Sequence, residues 1–166
     1  VSLTFALAKH RGAVLNAVLG PLLRRAAILV ALGFFLNAIP NYHLASFRFA
    51  GVLQRIAVCY VAGSLLYLYM GQRGLALLTA GLLLGYWAVV TLIPVPGFGA
   101  GVLTQEGSLP SFIDRLLLGS HTYFKGPIDP EGFLSTFPAL ATTLLGVLAG
   151  DWLRSERSAT DKTIGL

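Results

Sequence analysis

Residues 48–69, RFAGVLQRIAVCYVAGSLLYLY, set the fold class. From Ala50 the stretch is about 20 mostly apolar residues, enough for one helix to cross a hydrocarbon core. Gln54 and Arg55 fall in its second turn. A guanidinium facing lipid costs several kcal/mol, and arginine keeps its charge in any protein setting. Arg55 must therefore snorkel to headgroups, face water or meet an acid.

The rest of the chain has the same character. Of 166 residues, 55% are hydrophobic and 11% charged, and the mean hydropathy is +0.75. Soluble domains carry about 25% charged residues, so this chain reads as an all-α integral membrane bundle. The formal charge of +5 reads as topology, because the basic residues are not interleaved with stacking aromatics as a nucleic-acid surface requires. Cys59, the one cysteine, lies inside a span and offers neither a disulfide framework nor metal-ligand spacing.

Four full spans are expected. Val1 to Ala8 fits the tail of a preceding helix, running into Lys9, His10 and Arg11, and the chain reads as a fragment without its N-terminal helices. Gly12 to Gly20 is expected near the interface. The first full span starts at Pro21, which is tolerated in a first turn, and runs to about Ile39, with Arg24 and Arg25 snorkelling at its mouth. The opening stretch is the second. The third covers about Leu75 to Ile93 and carries Gly81 and Gly85, a G-x-x-x-G face.

Residues 94–132 form the longest segment that does not span, and include a short helix after Ser108 with Phe112, Ile113, Leu116 and Leu117 on one side. That pattern suits a helix lying on the membrane or plugging the bundle. The fourth span reads from about Glu131 to Leu153, with Asp129 as N-cap, Pro130 in the first turn and a kink at Pro138. A second G-x-x-x-G, Gly146 and Gly150, lies within it, and the two faces admit a homo-oligomer. Residues 1–153 thus make one membrane domain, and 154–166 a polar, disordered tail.

Basic residues sort by side. Lys9, Arg11, Arg24, Arg25, Arg73, Arg154, Arg157 and Lys162 fall on one, and Arg48, Arg55, Arg115 and Lys125 on the other. The richer side is the cytoplasmic one by the positive-inside rule. This sets 94–132 on the extracytoplasmic side of a bacterial inner membrane and the tail in the cytoplasm. It also brings Arg55, Asp129 and Glu131 to one face at similar depth. They read either as an ion pair joining two helix ends or as a polar pocket in which Gln54 and Arg55 bind an anionic or polar ligand. Ser135, Thr136, Thr142 and Thr143 read as hydroxyls bonding helix backbone.

R-F-A-G-V-L-Q-R-I-A-V-C-Y at 48–60 and D-P-E-G-F-L-S-T-F-P-A-L-A-T-T-L-L-G-V-L-A-G at 129–150 resemble the heparan-α-glucosaminide N-acetyltransferase family. V-S-L-T-F-A-L at the start resembles the end of that family's second membrane helix, and I-D-R-L-L-L-G-S-H at 113–121 its outer-loop segment. The resemblance covers most of residues 1–153. Phe49-Ala50 stands where relatives often have an isoleucine-proline pair.

The resemblance implies a multi-span enzyme that takes acetyl from cytosolic acetyl-CoA and delivers it to an amino sugar on the far side. It carries over Gln54, Arg55, Asp129 and Glu131 as substrate- or acyl-donor-binding residues. Arg55 suits a CoA phosphate or an acidic sugar. The family's catalytic histidine would lie upstream of Val1, so His10, His43 and His121 are not assigned its role, and the fragment is expected to be inactive alone. Two other classes remain: a transporter or permease with an anion-binding arginine at its outer mouth, and a structural scaffold.

Overall fold

The computed structural model describes residues 2–7, 15–39, 48–119, 121, 129–156 and 158–164. Seven helices lie among them: α1 (Ser2–Leu7), α2 (Leu15–Ala38), α3 (Val52–Tyr69), α4 (Gln72–Leu92), α5 (Leu109–Leu118), α6 (Thr136–Arg154) and α7 (Ala159–Ile164). Four are long and apolar enough to cross a membrane: Val18–Ala38 within α2, and the whole of α3, α4 and α6. The described residues contain no strand, only an isolated bridge between Val95 and Gly99. The chain is a helical membrane bundle with a short helix in its longest loop.

Only Met70 and Gly71, both extended, separate α3 from α4. The two helices nevertheless diverge, and α6 wedges between them, packing on α4 along one side and α3 along the other. At that end Asp151 of α6 accepts from the Tyr67 hydroxyl (3.0 Å) and from Gln72 Nε2 (3.4 Å). One carboxylate thus ties three helix ends together. The tightest apolar packing lies beside it, where Tyr67, Leu75, Leu144 and Val147 meet Leu7 and Val18. α2 lies on the far side of α3, and α1 rests on α6 and α3.

With no water in a bilayer core, hydroxyls must find partners inside the helix. Thr142 and Thr143 donate to the carbonyls of Pro138 and Ala139, and Thr79 to that of Leu75. Thr142 and Thr143 thus have the backbone role expected of them.

Several boundaries differ from the sequence reading. α2 is already helical at Leu15, so Pro21 lies inside it rather than in its first turn. Arg24 and Arg25 are therefore about two-fifths of the way along the helix, not at its mouth. α6 starts at Thr136 instead of Glu131, because the Asp129 carboxylate is engaged elsewhere and residues 129–135 form a turn. Pro138 consequently sits in the first helical turn, where a missing N–H costs nothing, and the expected kink has no cause. The tail is not wholly irregular: α7 forms in it, and Lys162 C=O accepts from Trp152 Nε1 at 3.2 Å. Lys9, His10, Arg11, His43, Lys125 and Arg157 lie outside the described residues.

The small-residue face of α4 also differs. Gly81 and Gly85 have no neighbour where a Cβ would stand, so their face serves no contact within the described chain. Close approach occurs instead at Gly63, where a Cβ would come within 3.0 Å of Thr143 Cγ2. Gly63→Leu should push α3 off α6 and cost roughly 1–3 kcal/mol, whereas Gly81→Leu should be near neutral. Thermal unfolding of the detergent-solubilised protein distinguishes them, and equal effects would contradict the packing.

Candidate functional site at the α3–α6 turn

The polar groups at the other end of the bundle gather on the turn before α6. Asp129 opens it: Oδ1 accepts from Glu131 N (3.0 Å), and its carbonyl accepts from Gly132 N (2.9 Å). This is the local hydrogen bonding that makes aspartate a turn former. Gly132 is needed because the Asp114 carboxylate of α5 lies directly on it, where any Cβ would overlap.

Arg48, in the extended segment before α3, grips this turn. Its Nε donates to Asp129 Oδ2 (3.1 Å) and its Nη2 to Asp129 Oδ1 (2.6 Å). The same Nη2 donates to Glu131 Oε2. The fork of a guanidinium on a carboxylate is among the stronger side-chain pairings. Burial alone would lower the Arg48 pKa, but Asp129, and then Glu131, outweigh it and hold the pKa above its ordinary value. Asn37 Nδ2 donates to the Arg48 carbonyl (3.1 Å), fixing the same segment to the end of α2.

Arg55 sits one turn inside α3 and reaches the same turn differently. Its Nη2 donates to the Pro130 carbonyl (2.5 Å) and to Ser135 Oγ. The Ser135 hydroxyl in turn lies 3.0 Å from the carbonyl of Gly132. The acids expected for Arg55 are thus held by Arg48, because the extended segment before α3 lies level with the turn while Arg55 starts deeper. Arg55 Nε is buried without a partner.

Gln54 takes no part in this cluster. Its amide is folded against Gly33 of α2 and Gly51, in a notch that a side chain at either position would fill. Neither of its amide atoms has a hydrogen-bond partner. Of the four residues singled out, Arg55, Asp129 and Glu131 are brought together and Gln54 is set apart.

Asp114 was not singled out as a site residue, yet it is fully buried, with 0% of its surface exposed. Oδ1 accepts from Phe133 N (2.9 Å), and Oδ2 has no partner. Burial pushes its pKa up. The Phe133 hydrogen bond opposes this, the Asp129 charge adds to it, and Arg55 again opposes it. The sequence signal was the polar arc Ser108, Ser111, Asp114 on a short helix, which reads by habit as the water side. His121 packs its ring on Phe49, with centroids 4.6 Å apart.

Below Arg55 opens a cleft of about 520 Å³ between α1, α3 and α6. Cys59, Tyr60, Thr142, Thr143 and Gly146 line it, with Arg55 at one end and Arg25 of α2 toward the other. Among the described residues no carboxylate lines it. Gly33 packs on Gln54, and Arg25 lies eight residues from Gly33, roughly 12 Å along the helix toward the Asp151 end. Among the described residues no group of His, Cys, Asp and Glu side chains could hold a metal.

No protein-family model matches the chain, and no curated protein matches it either.

Asp114 generates a pH prediction. A raised folded-state pKa means the native protein binds the proton more tightly than the unfolded chain. The stabilisation is whole below the ordinary value of 3.8 and is lost as pH rises through the folded value. Asp114→Asn keeps an acceptor for Phe133 N and carries no charge. The thermal midpoint of the wild type, relative to this variant, should fall between acid and neutral pH. A difference that does not change with pH would contradict it.

Proposed function

We propose that this chain is part of a membrane-bound acyltransferase that moves acetyl from cytosolic acetyl-CoA to an amino sugar on the extracytoplasmic side. The observation that carries the reading is the meeting of the two stretches on which the family resemblance rests. Arg48 and Arg55, from the first, hold Asp129, Pro130, Glu131 and Ser135 of the second, about 80 residues away. Stretches so far apart in sequence make a single constellation.

The cleft suits the anionic part of the donor in its chemistry and would hold a portion of it. Pockets for small ligands run about 300–1,000 Å³ with a few placed polar groups. Here guanidiniums stand toward the two ends of a wall of small residues, hydroxyls and apolar side chains. Arg25 and Arg55 would hold the anionic part of acetyl-CoA, which supplies the acetyl group as a thioester. In this reading the donor comes from the Arg25 end, the cytoplasmic one, and the acceptor from the Asp129 end of a bacterial inner membrane protein.

Acyl transfer also needs a donor for the developing oxyanion and a base for the amine. Arg55 Nε, buried and without a partner, suits the first role. Asp129 and Glu131 are committed to Arg48, so the described residues bring no evident base, and the base is sought elsewhere in the protein. A second reading, an anion permease, draws on the same cleft, since two guanidiniums without a carboxylate also suit a passing anion.

Radiolabelled acetyl transfer from acetyl-CoA by the intact protein in vesicles, across a panel of amino sugars, tests the proposal. A labelled acceptor supports it; no labelled acceptor, with uptake of a labelled anion instead, favours the permease. Arg55→Ala should abolish transfer with only a modest loss of folding, whereas Arg24→Ala should be tolerated. Equal damage from both would leave Arg55 a structural role only.

A further inference from the structure

The short helix α5 is polar on the inside and apolar on the outside. Ser111 and Asp114 are fully buried and Ser108 is nearly so, while Leu116 and Leu117 stand 74% and 59% exposed. The inward arc is tied to the bundle by one specific bond: Asp114 accepts from Phe133 N, three residues before α6. At the start of the helix, the buried Ser108 and Ser111 hydroxyls satisfy each other at 2.9 Å. Rotating the helix to hide its leucines would break the Asp114 bond and expose its carboxylate.

We infer that the apolar arc of α5 (Phe112, Ile113, Leu116 and Leu117) is bedded in the acyl chains of one leaflet. An amphipathic helix on a membrane normally turns its polar face to water. Here that face is spent on the bundle, so the helix lies against the outer rim of the protein with lipid on its free side. Three observations favour lipid over water or a second protein.

The arc carries no charge. Its one charged neighbour, Arg115, is folded back, with Nη1 donating to the Glu106 carbonyl at 3.0 Å. The spans also expose apolar side chains at the same level. α5 is fixed where α6 begins, and Leu92 and Ile93 at the end of α4, with Phe133 and Phe137 at the start of α6, are exposed there too. Left in water, side chains of this kind would be a steady drive to aggregation. Finally, the arc has no small-residue stripe, the feature that lets a second helix approach closely. Lipid chains need no such feature.

The test uses single cysteines at 116, 117, 77 and 156 in the intact protein with Cys59→Ala. Each is labelled with bimane and reconstituted in phosphatidylcholine–phosphatidylglycerol vesicles with or without bromine on the acyl chains. Leu77, on α4, is a lipid-facing control, and Glu156, beyond α6, an aqueous one. The replaced leucines are already exposed, so the fold does not depend on them. Brominated lipid should quench Leu116→Cys and Leu117→Cys as fully as Leu77→Cys and leave Glu156→Cys bright. A membrane-impermeant sulfonated maleimide should spare 116 and 117. Quenching no greater than at 156, together with aqueous labelling, would overturn the inference. So would protection from both reagents with a cysteine-linked dimer, which would mean a second copy covers the helix. The outcome does not depend on the enzymatic activity proposed above.

Discussion

The grip of Arg48 on Asp129 and Glu131 is the constraint on which one end of the bundle depends. Three charges that would each be costly at the margin of a membrane are brought to a net of minus one, within a single fork. Removing Arg48 leaves two neighbouring carboxylates uncompensated, so the cluster depends on that one guanidinium. It also fixes geometry. With Asp129 and Glu131 held from the α3 side, the carbonyl of Pro130 between them is presented to Arg55. Arg48 thus presents the turn that Arg55 reads.

The opposite end obeys the same logic with one carboxylate. Asp151 lies in the last turn of α6, where the helix dipole disfavours an acid. It is retained there by Tyr67 and Gln72, one from each flanking helix. Apolar packing concentrates beside this clamp, leaving the Arg48 end held largely by polar contacts. The bundle is therefore divided into an apolar, closely packed end and a polar end with a cleft leading toward it. That division of labour is the physical basis for assigning chemistry to the second and scaffolding to the first.

Much of this was legible in the sequence, for identifiable reasons. Apolar runs near 20 residues fix four spans because the bilayer sets their length. The side on which Arg55, Asp129 and Glu131 meet follows from the alternation of those spans. Pairing within the side does not follow, because it depends on depths differing by a turn or less. Arg48 was on the correct face of the bundle but in an extended segment, outside any helical register that would have singled it out. The start of α6 was misread for a related reason: D-P-E-G has the composition of a capped helix start, but Asp129 bonds Glu131 N locally and Arg48, 81 positions away, holds its carboxylate, and the segment stays a turn. Gln54 looked like a site residue through its neighbour Arg55, yet one position round a helix is about 100°, enough to aim its amide at Gly33. Pro21 likewise marks the start of a helix in isolation, but the apolar run before it continues α2 across it.

The coupling between Arg48 and Asp129, set against that between Arg55 and Asp129, tests this account most directly. Two double-mutant cycles with alanine substitutions, read by unfolding of the detergent-solubilised protein, isolate each pairwise interaction. The first should give a coupling above about 1 kcal/mol and the second a value near zero. A large Arg55–Asp129 coupling with none for Arg48 would contradict the arrangement on which the proposed site is built.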